Sequence, residues 1–182
     1  MKTVVILRHA KSDWSDTGLR DFDRGLNGRG CRAAEVMGHW ATHAGMRFDA
    51  ITASPARRVM ETLRRFREAY GDSPEPRFDL RIYLASAASI AEVVSETAPE
   101  VARLLVAGHS PGLESFILEA TGVDGSSALR DAVEEKFPTA AMAVLEFDID
   151  DWAELAEDFA GRATLRAFTR PRDLDPALGP ER

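Results

Sequence analysis

Cysteine is nearly missing: Cys31 stands alone among 182 residues. One thiol allows no intrachain disulfide and no cysteine-built zinc site, and it suits a reducing compartment, with the cytoplasm as the expectation. Long apolar runs are missing too. Thr3–Leu7 and Leu104–Ala107, among the longest, are a fraction of the ~20 residues that a bilayer-spanning helix needs. The first of them meets Arg8 without the pattern of a secretory leader. A cationic excess is absent as well: 23 Lys and Arg face 30 Asp and Glu, a net charge of −7. Phosphate backbones attract basic surfaces, so nucleic-acid binding is not expected. A local basic pocket for one small anion is still compatible with this balance. The chain also has no low-complexity block and no internal repeat.

Hydrophobic residues make up 45% and charged residues 29%, the balance of a globular domain with a core of its own. One domain over residues 1–170 is expected, followed by a mobile tail, 171–182, with three prolines and little apolar content. Apolar runs alternate with amphipathic stretches. Thr3–Leu7 reads as a buried strand ending at Arg8-His9, and Ala10–Asn27 as a long loop. Ala33, Met37, Trp40, Ala41 and Ala44 recur at helical spacing between Gly28 and Ala44. Phe48–Ala53 is a second strand. Ser54-Pro55 then reads as a cap followed by a first-turn proline, and Val59, Leu63, Phe66 and Tyr70 line one face of the helix up to Gly71. Asp72–Arg77 is a link, Leu80–Leu84 a short strand, and Ser89–Thr97 a helix. Leu104–Ala107 is the clearest buried strand. Ser110-Pro111 repeats the cap signal before an apolar face of Leu113, Phe116, Ile117 and Ala120, and late strands are expected at Ala140–Phe147 and Thr164–Phe168. Strand–helix alternation predicts an α/β fold: a three-layer α/β/α sandwich with a mostly parallel central sheet. In such sheets ligands bind at the carboxyl ends of the strands.

Three segments place reactive residues at those ends. They are Leu7-Arg8-His9-Ala10, Ser54-Pro55-Ala56-Arg57-Arg58, and Gly108-His109-Ser110-Pro111-Gly112. Two histidines and at least two arginines can therefore share one pocket. Arginine offers a planar fork of donors that matches phosphate oxygens and keeps its charge. A neutral imidazole can attack phosphorus and hold it covalently, while a second histidine stabilises the transferred group or moves a proton. This chemistry needs neither metal nor cofactor, and none is expected.

Leu7-Arg8-His9-Ala10 resembles the Arg-His-Gly signature of the histidine phosphatase (phosphoglycerate mutase-like) superfamily, with alanine replacing the usual glycine. Leu7–Trp14, Asp23-Arg24-Gly25-Leu26 and Lys136-Phe137-Pro138-Thr139 look like the small phosphohistidine phosphatases of the SixA type. Ser54–Thr62 resembles the family's second-arginine segment, whose register selects Arg58 over its neighbour Arg57, with Glu61 where glutamine is common. Gly108–Glu114 is similar to the segment of the second histidine. The resemblance spans residues 3 to about 170. It implies a phosphoglycerate mutase-like fold, His9 as the phosphorylated nucleophile, Arg8 and Arg58 as the phosphoryl clamp, and His109 completing the pocket. Arg24 matches a family arginine near the substrate. Larger members take an acid from a segment that here, Tyr83–Ala91, has none. That favours a nitrogen–phosphorus substrate, since a leaving imidazole needs less protonation than an alkoxide. The implied substrate is phosphohistidine on a protein, such as a histidine phosphotransfer domain.

Alternatives stay open at this point. The substrate could be a small phosphomonoester, the pocket could recognise phosphohistidine without turnover, and a mutase is the weakest rival. Arg24 could instead pair with Asp21 or Asp23 at the surface. Lys11, Ser12, Asp13 and Glu114 carry no assigned role, though Asp13 or Glu114 could serve as an acid. His39 and His43 have a spacing able to bind metal, but no carboxylate accompanies them and a solvated face is expected. The oligomeric state is not encoded in any motif.

Overall fold

Strand β1 (Lys2–Arg8) lies inside a six-stranded sheet of order β3-β2-β4-β1-β5-β6 in a computed structural model that describes residues 1–122 and 127–179. Its neighbours are β4 (Arg103–Gly108), parallel, and β5 (Met142–Phe147), antiparallel. Strand β2 (Ala50–Ala53) pairs in parallel with β4 and with the edge strand β3 (Pro76–Phe78); β6 (Ala163–Thr169) closes the other edge antiparallel to β5. Five strands thus share one direction, and β5 alone runs against them. Val4, Ile6 and Leu7 are fully buried and Val5 almost so. Both faces of β1 are covered, which explains why its sequence is a continuous apolar run rather than an alternation.

Each face carries a helical layer, so the three-layer reading holds. On one face α1 (Gly28–His43) and α2 (Arg57–Tyr70) bury Met37, Ala41, Val59, Leu63 and Phe66 against Val5, Leu7, Ile51 and Leu105. These helices cross closely: a Cβ on Gly38 of α1 would lie 2.3 Å from the carbonyl oxygen of Phe66. The other face packs α3 (Ala87–Ser95), α4 (Gly112–Thr121) and α5 (Ala128–Glu135), with the buried Trp152, against Val4, Ile6, Leu104 and Val106. Phe159 stacks on Phe116 in this layer. No helix among the described residues is long and apolar enough to cross a membrane.

Several local expectations fail for identifiable reasons. Ser54 does not cap α2: Ala56 holds the cap position, and the Ser54 hydroxyl accepts from the Ala56 N–H at 3.2 Å. Pro111 is itself the cap residue of α4, which begins at Gly112, and Ser110 makes no capping bond. A side chain at Gly112 is impossible without movement, since its Cβ would sit 2.0 Å from the Ala85 carbonyl oxygen. Leu80–Ile82 is a 3-10 turn rather than a strand, capped by Asp79. The strand β3 lies instead in the stretch read as a link, with Pro76 at the start of an edge strand, where a missing N–H is tolerated. Helix α5 has no counterpart in the sequence reading.

Within the tail expected to be mobile, residues 171–179 carry regular structure. Helix α6 (Pro171–Leu174) and a 3-10 turn at Pro176–Leu178 fold back onto α1. Arg29 donates to the carbonyls of Ala177 and Gly179, and Arg32 Nε pairs with Asp175 at 2.9 Å. Residues 180–182 lie outside the described residues. Leu174 and Leu178 also pack against the core on this face, so ionic, backbone and apolar contacts together hold the tail.

Candidate active site

The sheet register sets three loop starts side by side. Arg8 faces Gly108 across β1 and β4, and Ala53 faces Ala107 across β2 and β4. The ladder runs one step further, because His9 donates its N–H to Gly108 O at 2.9 Å and Ser54 to Ala107 O at 3.0 Å. His9, Ser54 and His109 therefore emerge together at the carboxyl edge of the parallel strands. The His9 and His109 rings stand 5.3 Å apart between centroids.

His9 has a fixed tautomer. Its Nδ1 lies 2.8 Å from the carbonyl oxygen of Ala10, which can only accept, so Nδ1 carries the hydrogen and Nε2 keeps its lone pair. The Ala10 N–H donates to Thr62 Oγ1 at 2.9 Å, and Thr62 donates to Arg58 O at 2.6 Å, which ties the β1 end to α2. Ala10 is fully buried in the α1–α2 core, where its methyl is accommodated. Burial and the charges of Arg58 and Arg8 push the His9 imidazole down to about 4, against the raising effects of the Ala10 carbonyl and Asp21.

His109 has the opposite tautomer. Arg58 Nη2 lies 3.1 Å from Nδ1, and a guanidinium has no lone pair to offer, so Nδ1 accepts. Nε2 then carries the hydrogen and donates to Ser54 Oγ at 2.8 Å. Burial, Arg58 and His9 bring His109 down to about 3. Both imidazoles are neutral at pH 7.

Arg58, on the first turn of α2, is 4% exposed, whereas Arg57 faces outward and pairs with Glu61. The structure thus brings Arg58 and not Arg57 into the cluster. Its Nη1 donates to Asp21 O at 2.7 Å and its Nη2 to Asp21 Oδ2 at 3.0 Å. Arg8 donates through Nη1 to Phe137 O at 2.7 Å, while its Nε is buried with no partner. Burial lowers Arg8, with Glu114 opposing. Ser110 Oγ is another buried polar atom without a partner. A buried donor left unpaired costs ~1–3 kcal/mol, which a bound oxyanion would recover.

Arg24 is 6% exposed and donates to the carbonyls of Asp13, Asp16 and Leu19 at 3.1–3.4 Å, with its guanidinium 4.0 Å from the Trp14 ring centroid. It organises the 13–19 loop. It neither joins the His9–Arg58–His109 cluster nor pairs with Asp21 or Asp23 at the surface. His39 and His43 are exposed, and the His43 ring bonds back to the His39 carbonyl. Among the described residues no group of three or more His, Cys, Asp or Glu is placed to hold a metal.

Sequence reasoning missed three participants. Asp21 accepts from Arg58 and, at 2.7 Å, from the Tyr83 hydroxyl. Burial works to raise the Asp21 carboxyl, but the bonds from Tyr83 and Arg58 and the Arg58 charge outweigh it and hold the group below its usual range. Asp21 raises the Tyr83 phenol in turn. The Tyr83 ring packs edge-on to His109 at 5.3 Å. Ser54, the third, sits at a strand end next to the second-arginine segment, which was the one signal available.

Paired histidines and arginines at the ends of central parallel strands are the features expected of the family named above, and the comparisons agree. The model of the histidine phosphatase superfamily (branch 1) matches residues 4–81. The chain is 33% identical over 167 residues to an uncharacterized protein of Mycobacterium tuberculosis, covering 91% of this chain and all of that one. The SixA protein of Agrobacterium tumefaciens, provisionally named a phosphohistidine phosphatase, superposes with a TM-score of 0.76 at 30% identity, over 93% of this chain and 98% of that one. The protein histidine phosphatase SixA solved with tungstate shares the fold, with a TM-score of 0.75 at 19% identity over 95% and 99%. The chain belongs to the histidine phosphatase superfamily, branch 1, and its architecture is SixA-like within the phosphoglycerate mutase-like fold.

Proposed function

We propose that this protein is a phosphatase that works through a phosphohistidine enzyme and acts on phosphohistidine carried by a protein. The observation that carries the reading is the His9 tautomer: Nδ1–H is fixed on the Ala10 carbonyl, and Nε2 is left bare beside Arg8, Arg58 and His109. In the first step His9 Nε2 bonds to phosphorus as the substrate's nitrogen–phosphorus bond breaks. A substrate imidazole protonated at its far nitrogen leaves as a neutral molecule. The phosphorylated His9 ring is cationic, and the Ala10 carbonyl stabilises it through Nδ1–H. In the second step a water oxygen bonds to phosphorus, the phosphorus–Nε2 bond breaks, and both water protons depart on the phosphate. Arg8 and Arg58 supply fixed positive charge to the equatorial oxygens in both steps.

The nitrogen–phosphorus substrate is supported by the ionised state of Asp21, the carboxylate bonded to Arg58 and Tyr83. An ionised carboxylate has no proton to give an alkoxide. The SixA-like architecture and the described chain's lack of an inserted cap also fit a protein substrate.

The test is phosphate release from a phosphohistidine-bearing protein, with chelator present, by the wild type and by His9→Ala. Release by the wild type alone is expected. Turnover of an aryl phosphate but not of the phosphoprotein would move the substrate to small phosphomonoesters. Binding of phosphate with no turnover of either would make the protein a recognition module.

A further inference from the structure

A cavity of about 480 Å³ opens beside Arg8, on the side of the folded tail. Its charged lining is Arg8, Lys11, Arg29, Lys136, Arg170 and Arg172, with no carboxylate among the described residues that line it. On a chain of net charge −7 this is a local inversion of sign. Like charges held together oppose folding, so such a cluster needs a reason. Some of the charge is balanced within the fold. Arg170 is paired with Asp173, and Arg29 donates to the carbonyls of Ala177 and Gly179. Lys11, Lys136 and Arg172 are exposed and form no salt bridge among the described residues.

Position gives this charge a use. Arg8 lines the cavity and also acts on the imidazoles of His9 and His109. The cavity and the catalytic cluster therefore meet at one guanidinium. Its walls come from the two segments the sequence reading left without a function, 136–139 and the tail from Arg170 to Gly179. Its volume is that of a site for a small group, not of a broad docking face.

We infer that this cavity is a subsite for a second anionic group of the same substrate molecule, carried beside the phosphoryl group that His9 receives. The inference rests on the phosphatase reading and deepens it. With a phosphohistidine protein, the group is an Asp or Glu carboxylate close to the phosphohistidine. With a small molecule, it is a second phosphate or carboxylate.

The experiment compares two phosphohistidine peptides, one with Asp and Glu beside the phosphohistidine and one with Asn and Gln there. Para-nitrophenyl phosphate serves as the one-anion reference. Wild type and Lys136→Ala/Arg172→Ala are assayed, both positions being exposed and outside the catalytic cluster. Wild type is expected to favour the acidic peptide about tenfold in kcat/KM, more at low salt, because exposed charges are screened. The double variant should lose that preference, with unchanged activity on the amide peptide and on para-nitrophenyl phosphate. Equal handling of both peptides by wild type would overturn the inference, as would equal loss on all three substrates in the variant. If para-nitrophenyl phosphate is hydrolysed but neither peptide is, the phosphohistidine reading fails. The subsite is then judged on propane-1,3-diol bisphosphate against propyl phosphate. A preference for the bisphosphate that the variant erases supports it, and no preference overturns it.

Discussion

The ends of β1 and β4 each present a histidine to the same pocket, yet the two rings are wired differently. His9 has one nitrogen committed, to the Ala10 carbonyl, and its Nε2 is bare. His109 has both nitrogens committed, Nδ1 to Arg58 and Nε2 to Ser54. Under the proposed mechanism the difference separates a nucleophile from a stabiliser with no appeal to chain order. Attack needs an unshared pair at an open position. A ring held from both sides can only donate or hold charge in place.

The sharpest way to break this comparison is to remove each ring in turn. His9→Ala should abolish turnover, with a loss of roughly 10⁴-fold or more, since no other group near the pocket offers a nucleophilic nitrogen. His109→Ala should cost less, on the order of 10²–10³-fold in kcat, and should still allow slow phosphorylation of His9. Single-turnover kinetics on both variants would reveal it. Equal losses would mean that the rings act as one unit and that the distinction drawn above is wrong.

Titration gives a second comparison. Both imidazoles are lowered on folding, His9 to about 4 and His109 to about 3. The unfolded chain, with histidines near pH 6.5, then binds more protons than the folded one over the window below that value. Stability contributed by the neutral rings is therefore complete above about pH 6.5 and is lost as pH falls through 6.5 toward 4 and then 3. Histidine ring resonances followed by NMR in the free protein should show no midpoint for His9 or His109 near 6.5. Ordinary midpoints for both would remove burial and the arginine charges as the controlling influence.

The smallest effect is expected at Ser54→Ala. The variant leaves His109 Nε2–H without its acceptor in a buried place, at a cost of ~1–3 kcal/mol in stability. It should lower kcat by roughly tenfold, because the ring keeps its Arg58-fixed tautomer but loses one of its two anchors, whereas His9 is untouched. Thermal unfolding and steady-state kinetics together separate the two losses.

What could be read in the sequence was what local pattern encodes. The buried run Thr3–Leu7 and the Leu104–Ala107 strand are continuous apolar segments because the sheet is covered on both faces. The histidines after them fall at strand ends, where a parallel sheet places its ligands. Arg58 was picked over Arg57 by register, and its burial agrees. What failed depended on distant partners. Ser54 carries the local signature of a helix cap, but its hydroxyl oxygen accepts from Nε2–H of His109, 55 residues away. Asp21 meets Arg58 across 37 residues and Tyr83 across 62, with no spacing rule to link them. Arg24, by contrast, is held locally, by three carbonyls and an indole of its own loop, and substrate contact by it is still an expectation. The tail is polar in composition, and beside the packing of Leu174 and Leu178 it is placed by ionic and backbone bonds to α1 that no apolar periodicity announces.

The most direct test of the central claim is to mix the protein with a phosphoryl donor, quench in alkali where phosphohistidine survives, and locate the phosphoryl group. The structure predicts one phosphohistidine, at His9, bonded through Nε2. A phosphoryl group on Nδ1 of His9 or on His109, or turnover with no phosphoenzyme under single-turnover conditions, would contradict the account.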